Sequence, residues 1–267
     1  MPDHPTKKYN PLSISLLLIF LSLLGNINAQ NYDYNLRQFG DEFIEMLKQP
    51  GKWETKEWLT LTAIAGGTIG LMQIDDDVRS EIQSNREYDD CLPIVIGNKY
   101  GEWVPLLVGT SFLTAGILQD NNANKRFGFE VIQSYIYSLT ITGIGKLAFG
   151  RARPFMSEGS ASYHPFQMST TDYFSLPSGH TTAAFSLSTV LAAQSDNLLI
   201  KIAAFTPAVM TAFARIYYDK HWLSDVFLGA AVGYFVGKFV TEMHENKYDQ
   251  EIMVPPSPNN IQLIIPF

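Results

Sequence analysis

The sequence predicts an all-α fold built on a core of six helices, and three observations predict it. Six apolar stretches of helical length follow one another between residues 58 and 240, and most carry small residues at spacings that suit packed helices rather than strands. Polar connectors with ordinary turn chemistry, such as Asp75-Asp76-Asp77 and Asp120-Asn121-Asn122, separate them. Cys91 is the only cysteine, so neither an intramolecular disulfide nor a cysteine metal cluster can stand in for packing. The 267 residues show no internal repeat and no change of character after residue 50, which suits one domain with a sizeable core.

The elements follow in chain order. Lys7-Lys8, an apolar run from Leu12 to Leu24, and Ile27-Asn28-Ala29 form a signal-peptide pattern over residues 1–29, with the mature chain expected to start at Gln30. No cysteine follows the run, which argues against a lipoprotein anchor; an uncleaved membrane anchor is the alternative. Residues 30–57 form an acidic lead-in. The apolar stretches are Trp58 to Ile74, Trp103 to Gln119, Val131 to Lys146, Thr181 to Ser195, Leu198 to Ala214, and Trp222 to Val240. Asp75-Asp76-Asp77 reads as a solvated loop rather than a cation site. Residues 241–267 form a C-terminal tail, rich in Pro and Asn from Tyr248 onward and closing on the apolar run Ile261 to Phe267.

The longest charge-free stretches have 17 residues, whereas a membrane span usually needs about 20. If Gln30 lay outside and all six stretches spanned, the loops holding the first and third motifs described below would face the cytoplasm. Together these facts predict an exported bundle in the cell envelope, on the outer side of the inner membrane, partly embedded or soluble.

The net charge of −7 argues against a nucleic-acid binder and makes a local concentration of basic residues informative. Lys146 and Arg153 stand two helical turns apart, and Pro154 pushes Arg153 towards extended geometry at a helix exit. With Arg151 they form a set of cations suited to a phosphate, although alone they also read as a solvated basic helix end. Pro177-Ser178-Gly179-His180 directly precedes an apolar stretch, where a helix N-terminus presents unpaired N–H groups to an anion. His221 and Asp225 are four apart on a helix, so the carboxylate can orient one ring nitrogen and leave the other free as a nucleophile. His4, His164 and His244 are weaker candidates, His244 because it falls in the polar tail. The connector between the first two motifs holds Tyr163, Phe166, Tyr173 and Phe174, read first as packing of a long loop and second as the lining of an entrance.

In order, Lys146-x6-Arg153-Pro154, Pro177-Ser178-Gly179-His180 and Arg215-x5-His221-x3-Asp225 resemble the motifs of the type 2 phosphatidic acid phosphatase and vanadium haloperoxidase superfamily, over residues 58–240. The resemblance implies a six-helix core gathering the three motifs around one phosphate. It implies that Lys146, Arg153, Ser178, Gly179 and Arg215 bind phosphoryl oxygens, that His221 is the nucleophile oriented by Asp225, and that His180 protonates the leaving group. Ala214 departs from the pattern, since the family usually has Ser there; a hydroxyl is lost and no catalytic role is vacated. The activity implied is that of a metal-independent phosphatase needing no cofactor, with vanadate as inhibitor. Its substrate would be a phosphomonoester or terminal pyrophosphate on a lipid or other envelope molecule, a small phosphate ester included. The alternatives are a vanadium haloperoxidase, which the chain is short for, and a membrane protein that binds phosphate or lipid headgroups without turnover. The intact pair His221 and Asp225 argues against a mere binder.

Overall fold

Short polar side chains open several helices at the connectors. Asn121 accepts from the Asn124 N–H, Asn197 from that of Leu199, and Glu54 with Glu57 closes a capping box. The computed structural model describes residues 34–87 and 91–253, and among them every regular element is helical, apart from one isolated bridge between Arg151 and Tyr163. The signal-peptide residues, His4 and the run from Ile261 lie outside the described residues. The helices are α1 (Leu36–Lys48), α2 (Thr55–Met72), α3 (Asp75–Ser84), α4 (Leu92–Tyr100), α5 (Val104–Leu118), α6 (Asn122–Phe149), α7 (Gly179–Ala193), α8 (Leu198–Tyr217) and α9 (Leu223–Met253).

The six apolar stretches become α2 and α5 to α9, while α1, α3 and α4 are additional. Asp75, Asp76 and Asp77 are not a solvated loop: they form the first turn of α3, where carboxylates suit the helix dipole, and Asp75 is fully buried. His244 is likewise not in a polar tail. It sits 3% exposed on α9, with Nε2 3.1 Å from Glu42 of α1 and Nδ1 3.4 Å from Glu130 of α6. Gln133 donates to the same Glu42 carboxylate at 2.5 Å. This buried polar group ties α1 to the main bundle.

Within the bundle, α9 packs on α7 and α6, α7 on α6 and α8, α5 on α6, and α4 on α8. The α9–α7 contact is set by glycines one turn apart. A Cβ on Gly229 would lie 2.6 Å from the Ser178 carbonyl oxygen, one on Gly233 2.3 Å from that of Thr182, and one on Gly237 2.9 Å from Thr189 Cβ. Only hydrogen at these positions lets the backbones meet, and the approach seats the start of α7 against α9. Met46, Tyr137, Val236 and Val240 fill the space among α1, α6 and α9, and Phe127, Val131, Leu187 and Val190 that between α6 and α7.

Two helices are longer than the charge-free stretches suggested. Leu198–Tyr217 (20 residues) and Leu223–Glu245 (23 residues) are long and apolar enough to cross a membrane, and α4 with α5 forms a third such segment if its 60° bend is one span. At about 1.5 Å per residue, 20 residues match a hydrocarbon core of about 30 Å. Leu199, Ile202, Val209 and Phe213 on α8 face outward and exposed, so a membrane is the solvent this surface suits. The expectation of stretches too short to span is thereby corrected: charges inside α8 and α9, among them Lys201, Arg215 and Asp225, had cut the count.

Candidate active site

Lys146 leaves the last turn of α6, which stops at Gly150. That residue adopts a left-handed conformation (φ 58°), and a Cβ there would strike the His164 carbonyl oxygen at 1.8 Å, so glycine alone fits the exit. The chain then runs extended through Arg153 (φ −74°, ψ 152°), as a residue before proline should. Lys146 Nζ donates to the Phe174 carbonyl at 2.6 Å, and its Cε would lie 3.7 Å from a Cβ on Gly179. Arg153 donates from Nε to the Thr171 carbonyl at 3.1 Å and from a terminal nitrogen to the Lys220 carbonyl at 3.4 Å. Two carbonyls thus aim its guanidinium between the first and third motifs.

Ser178 is the N-cap of α7, as the sequence predicts, with β-region backbone and no side-chain capping bond. Its N–H donates to the Asp225 carbonyl at 3.0 Å, which fixes the second motif to the third. Its hydroxyl oxygen instead accepts from Thr181 at 2.9 Å, so the Ser178 hydrogen is still available to donate to an anion. The N–H groups in the first turn of a helix lack intrahelical partners, and such an end suits an anion. Half-buried His180 lies in that turn, its carbonyl packed where a Cβ on Gly101 would come within 2.4 Å.

Arg215 ends α8. One terminal nitrogen donates to Asn98 Oδ1 at 2.5 Å, while Nε is buried without a hydrogen-bond partner. Six residues on, His221 is 2% exposed, with Nδ1 3.6 Å from Asp225 Oδ2. That separation is an ion-pair distance rather than a hydrogen bond. Asp225 is held by other donors: Ser175 Oγ at 2.5 Å and the Trp222 N–H at 2.9 Å on Oδ2, and Arg151 at 2.7 Å on Oδ1.

Arg151 therefore does not join Lys146 and Arg153 as a third phosphate ligand. It is fully buried and spent on Asp75, Asp225, Ser224 and the Ser160 carbonyl. The connector aromatics divide as well. Phe166 is 75% exposed at φ 62°, which loop packing does not explain, whereas the Tyr173 ring lies tilted against His164 with centroids 4.2 Å apart, beside Glu158. Sequence reasoning also missed Asn98, Ser175 and Ser224. Ser175, just ahead of the second motif, gave the only local hint.

The electrostatics are one-sided. Burial first, then the charges of Arg153, Lys146, Arg215 and His180, hold His221 well below the usual histidine value of 6.5. Burial, followed by repulsion from Arg153, pushes Lys146 down to about 7, and burial lowers Arg153. Asp225 is the carboxylate beside them, and it is paired with Arg151, which it shares with Asp75. Three basic side chains and a helix N-terminus thus converge on a buried imidazole with a deficit of negative charge, which a phosphate would fill. Among the described residues no group of three His, Cys, Asp or Glu is placed to hold a metal ion.

Residues 127–249, which contain all three motifs, match the PAP2 superfamily. Over that stretch the chain is similar to the PAP2 superfamily. Over 140 residues it is 38% identical to a lipid A 1-phosphatase of Porphyromonas gingivalis, an alignment covering 51% of this chain and 28% of that protein. Over 146 residues it is 23% identical to an undecaprenyl-diphosphatase of Sulfolobus acidocaldarius, covering 54% and 65%. The chain therefore spans less than two thirds of the length of either of these relatives. Among solved structures, Aquifex aeolicus LpxE is similar at a TM-score of 0.45 with 22% identity, covering 63% of this chain and 95% of that one.

Proposed function

We propose that the protein is a membrane-associated phosphatase that cleaves a phosphomonoester or terminal pyrophosphate from a lipid, without a metal ion, through a phosphohistidine intermediate. The observation that carries this reading is the uncompensated set of Lys146, Arg153 and Arg215 around His221 at the N-terminus of α7. The names of the two relatives, a lipid A 1-phosphatase and an undecaprenyl-diphosphatase, support a lipid phosphate or diphosphate as substrate. The apolar outer faces of α8 and α9 suit a substrate that stays in the bilayer, and the signal-peptide pattern supports a site on the exported side.

In this mechanism Lys146, Arg153, Arg215, the Ser178 hydroxyl and the N–H groups from Gly179 onward bind the phosphoryl oxygens and the charge that develops on them. Nδ1 of His221 faces Asp225, so Nε2 attacks phosphorus. The P–O bond to the lipid alcohol breaks as the P–N bond forms, and His180 gives its proton to the departing oxygen. The positive charge arising on the His221 ring draws Nδ1–H onto Asp225 and closes the 3.6 Å gap. Water then attacks phosphorus, His180 takes its proton, and the P–N electrons return to His221 as phosphate leaves. Atoms and charge balance over the two displacements.

Phosphate release from para-nitrophenyl phosphate and from a panel of phospholipids, in detergent and with EDTA present, tests the proposal. The expected result is turnover in EDTA, inhibition by vanadate, loss of turnover in His221→Ala, and a slowed His180→Ala that recovers partly on the activated aryl ester. Near-normal turnover by His221→Ala, or phosphate trapped on serine, would refute it.

A further inference from the structure

We propose that Asp75 and Arg151 are positioning residues that hold Asp225 as an oriented anion behind His221; this rests on the phosphohistidine reading above. Arg151 lies at the centre of a closed ionic chain. Its two terminal nitrogens reach Asp225 Oδ1 at 2.7 Å and Asp75 Oδ2 at 2.8 Å, and both carboxylates are fully buried. Ser224 bridges the pair: its N–H and hydroxyl donate to Asp75 at 3.0 Å and 2.5 Å, while its oxygen accepts from Arg151 at 2.7 Å. The Ser160 carbonyl takes the remaining contacts at 2.9 Å and 2.7 Å. Aromatic rings close two sides, with Trp222 and Tyr163 centred 5.4 Å and 5.8 Å from the guanidinium carbon.

A structural ion pair would need one carboxylate for one guanidinium. Here two share it, and the buried group keeps one net negative charge. That excess faces the cations Lys146 and Arg153 and is also set to meet the positive charge that arises on His221 when its other nitrogen takes the phosphoryl group. Arg151 fixes the rotamer of Asp225 and keeps it from taking the His221 proton. Asp75 draws part of the Arg151 charge away, so that Asp225 is not wholly neutralised. Asp75 comes from α3, well outside the three motifs, and no contact places it near the phosphate. It acts only through Arg151 and Ser224.

The test is the Asp75→Asn variant, nearly isosteric, assayed with para-nitrophenyl phosphate against wild type, Asp225→Asn and the double variant. Besides Asp225, His221 faces Lys146 of α6, His180 of α7, Arg215 of α8 and Arg153 of the connector. Arg151 also faces Tyr163. With these unchanged, neutralising Asp75 makes the surroundings of His221 more positive. The acid limb of kcat/KM is expected to move to lower pH by on the order of one unit. kcat should fall by roughly 10-fold or more with KM within about twofold, as for misplacement of a reacting group. On the Asp225→Asn background the same substitution should cost nothing further, because the path to His221 is already cut.

Where Asp75→Asn does not fold, Ser224→Ala, which keeps every charge, is expected to lower kcat severalfold on the wild-type background and not on Asp225→Asn. Folded variants with wild-type kcat, or losses that multiply across the double variant, would overturn the proposal. A wild type that releases no phosphate would take this proposal down with the phosphatase reading, whereas an active wild type with indifferent variants refutes the positioning role alone.

Discussion

Substituting Gly229 by Ala should disable the proposed site although Gly229 itself supplies no side chain to it. The added methyl would stand 2.6 Å from the Ser178 carbonyl oxygen, while ordinary contact begins near 3.4 Å, so α9 and the turn before α7 must separate by about 0.8 Å. The obstacle is backbone, which no rotamer change relieves. The same displacement loosens the 3.0 Å bond from Ser178 N–H to the Asp225 carbonyl, and with it the register between the turn before α7 and His221. A shift approaching 1 Å at a reacting centre costs about 10²-fold in rate. Against this, alanine gains about 1 kcal/mol of helix propensity over glycine, offsetting part of an overpacking cost of about 1–3 kcal/mol, so the variant should still fold. Gly66, on α2 with nothing within 4 Å of its Cβ position, is the control: Gly66→Ala should keep full turnover and melt at the same temperature or higher. Phosphate release and thermal melting in detergent measure both. Wild-type kcat in folded Gly229→Ala would refute the claim that the glycine contact sets the site.

Two further outcomes are expected. Because His221 in the folded protein takes a proton only well below 6.5, whereas an unfolded histidine takes it near 6.5, the unfolded chain binds more protons as pH falls through that window; stability should drop there, and the acid limb of kcat/KM, with substrate ionisation divided out, should lie below 6.5. A limb at or above 6.5 would contradict it. With two helices long enough to cross a bilayer, alkaline carbonate should leave the protein in the membrane pellet and detergent should be needed to extract it, whereas release of a large fraction would show that α8 and α9 lie outside the bilayer.

What the sequence disclosed was local. Ser178 as a helix cap and Arg153 in extended geometry before Pro154 follow from neighbours within a few positions, and the structure has both; His221, expected on the last helix, instead lies in the bend before α9, which starts at Leu223, and meets Asp225 from there. The links between motifs, such as Ser178 to Asp225 and Arg153 to Lys220, follow from packing and had no local signal. Arg151 was misread for a related reason. A basic residue beside two others looks like part of one cation cluster, and its true partners, Asp75 and Asp225, come from distant helices. Counting charge-free residues failed at α8 and α9, since the charges interrupting them include Arg215 and Asp225, which turn into the site rather than to lipid. His244 was misplaced because the end of α9 is polar in sequence yet covered by α1.

The contact between Glu42 and His244 also bears on the order of assembly. Glu42 belongs to the first described helix and His244 to the last, so the hydrogen bonds that bury α1 cannot be completed until nearly the whole chain has been synthesised. Once α6 is made Glu42 has Gln133 as a partner, but the imidazole that completes its burial arrives only with the end of α9. The bundle closes as a ring does, its first segment fastened by its last, and a chain cut short before residue 244 would leave both ends undone.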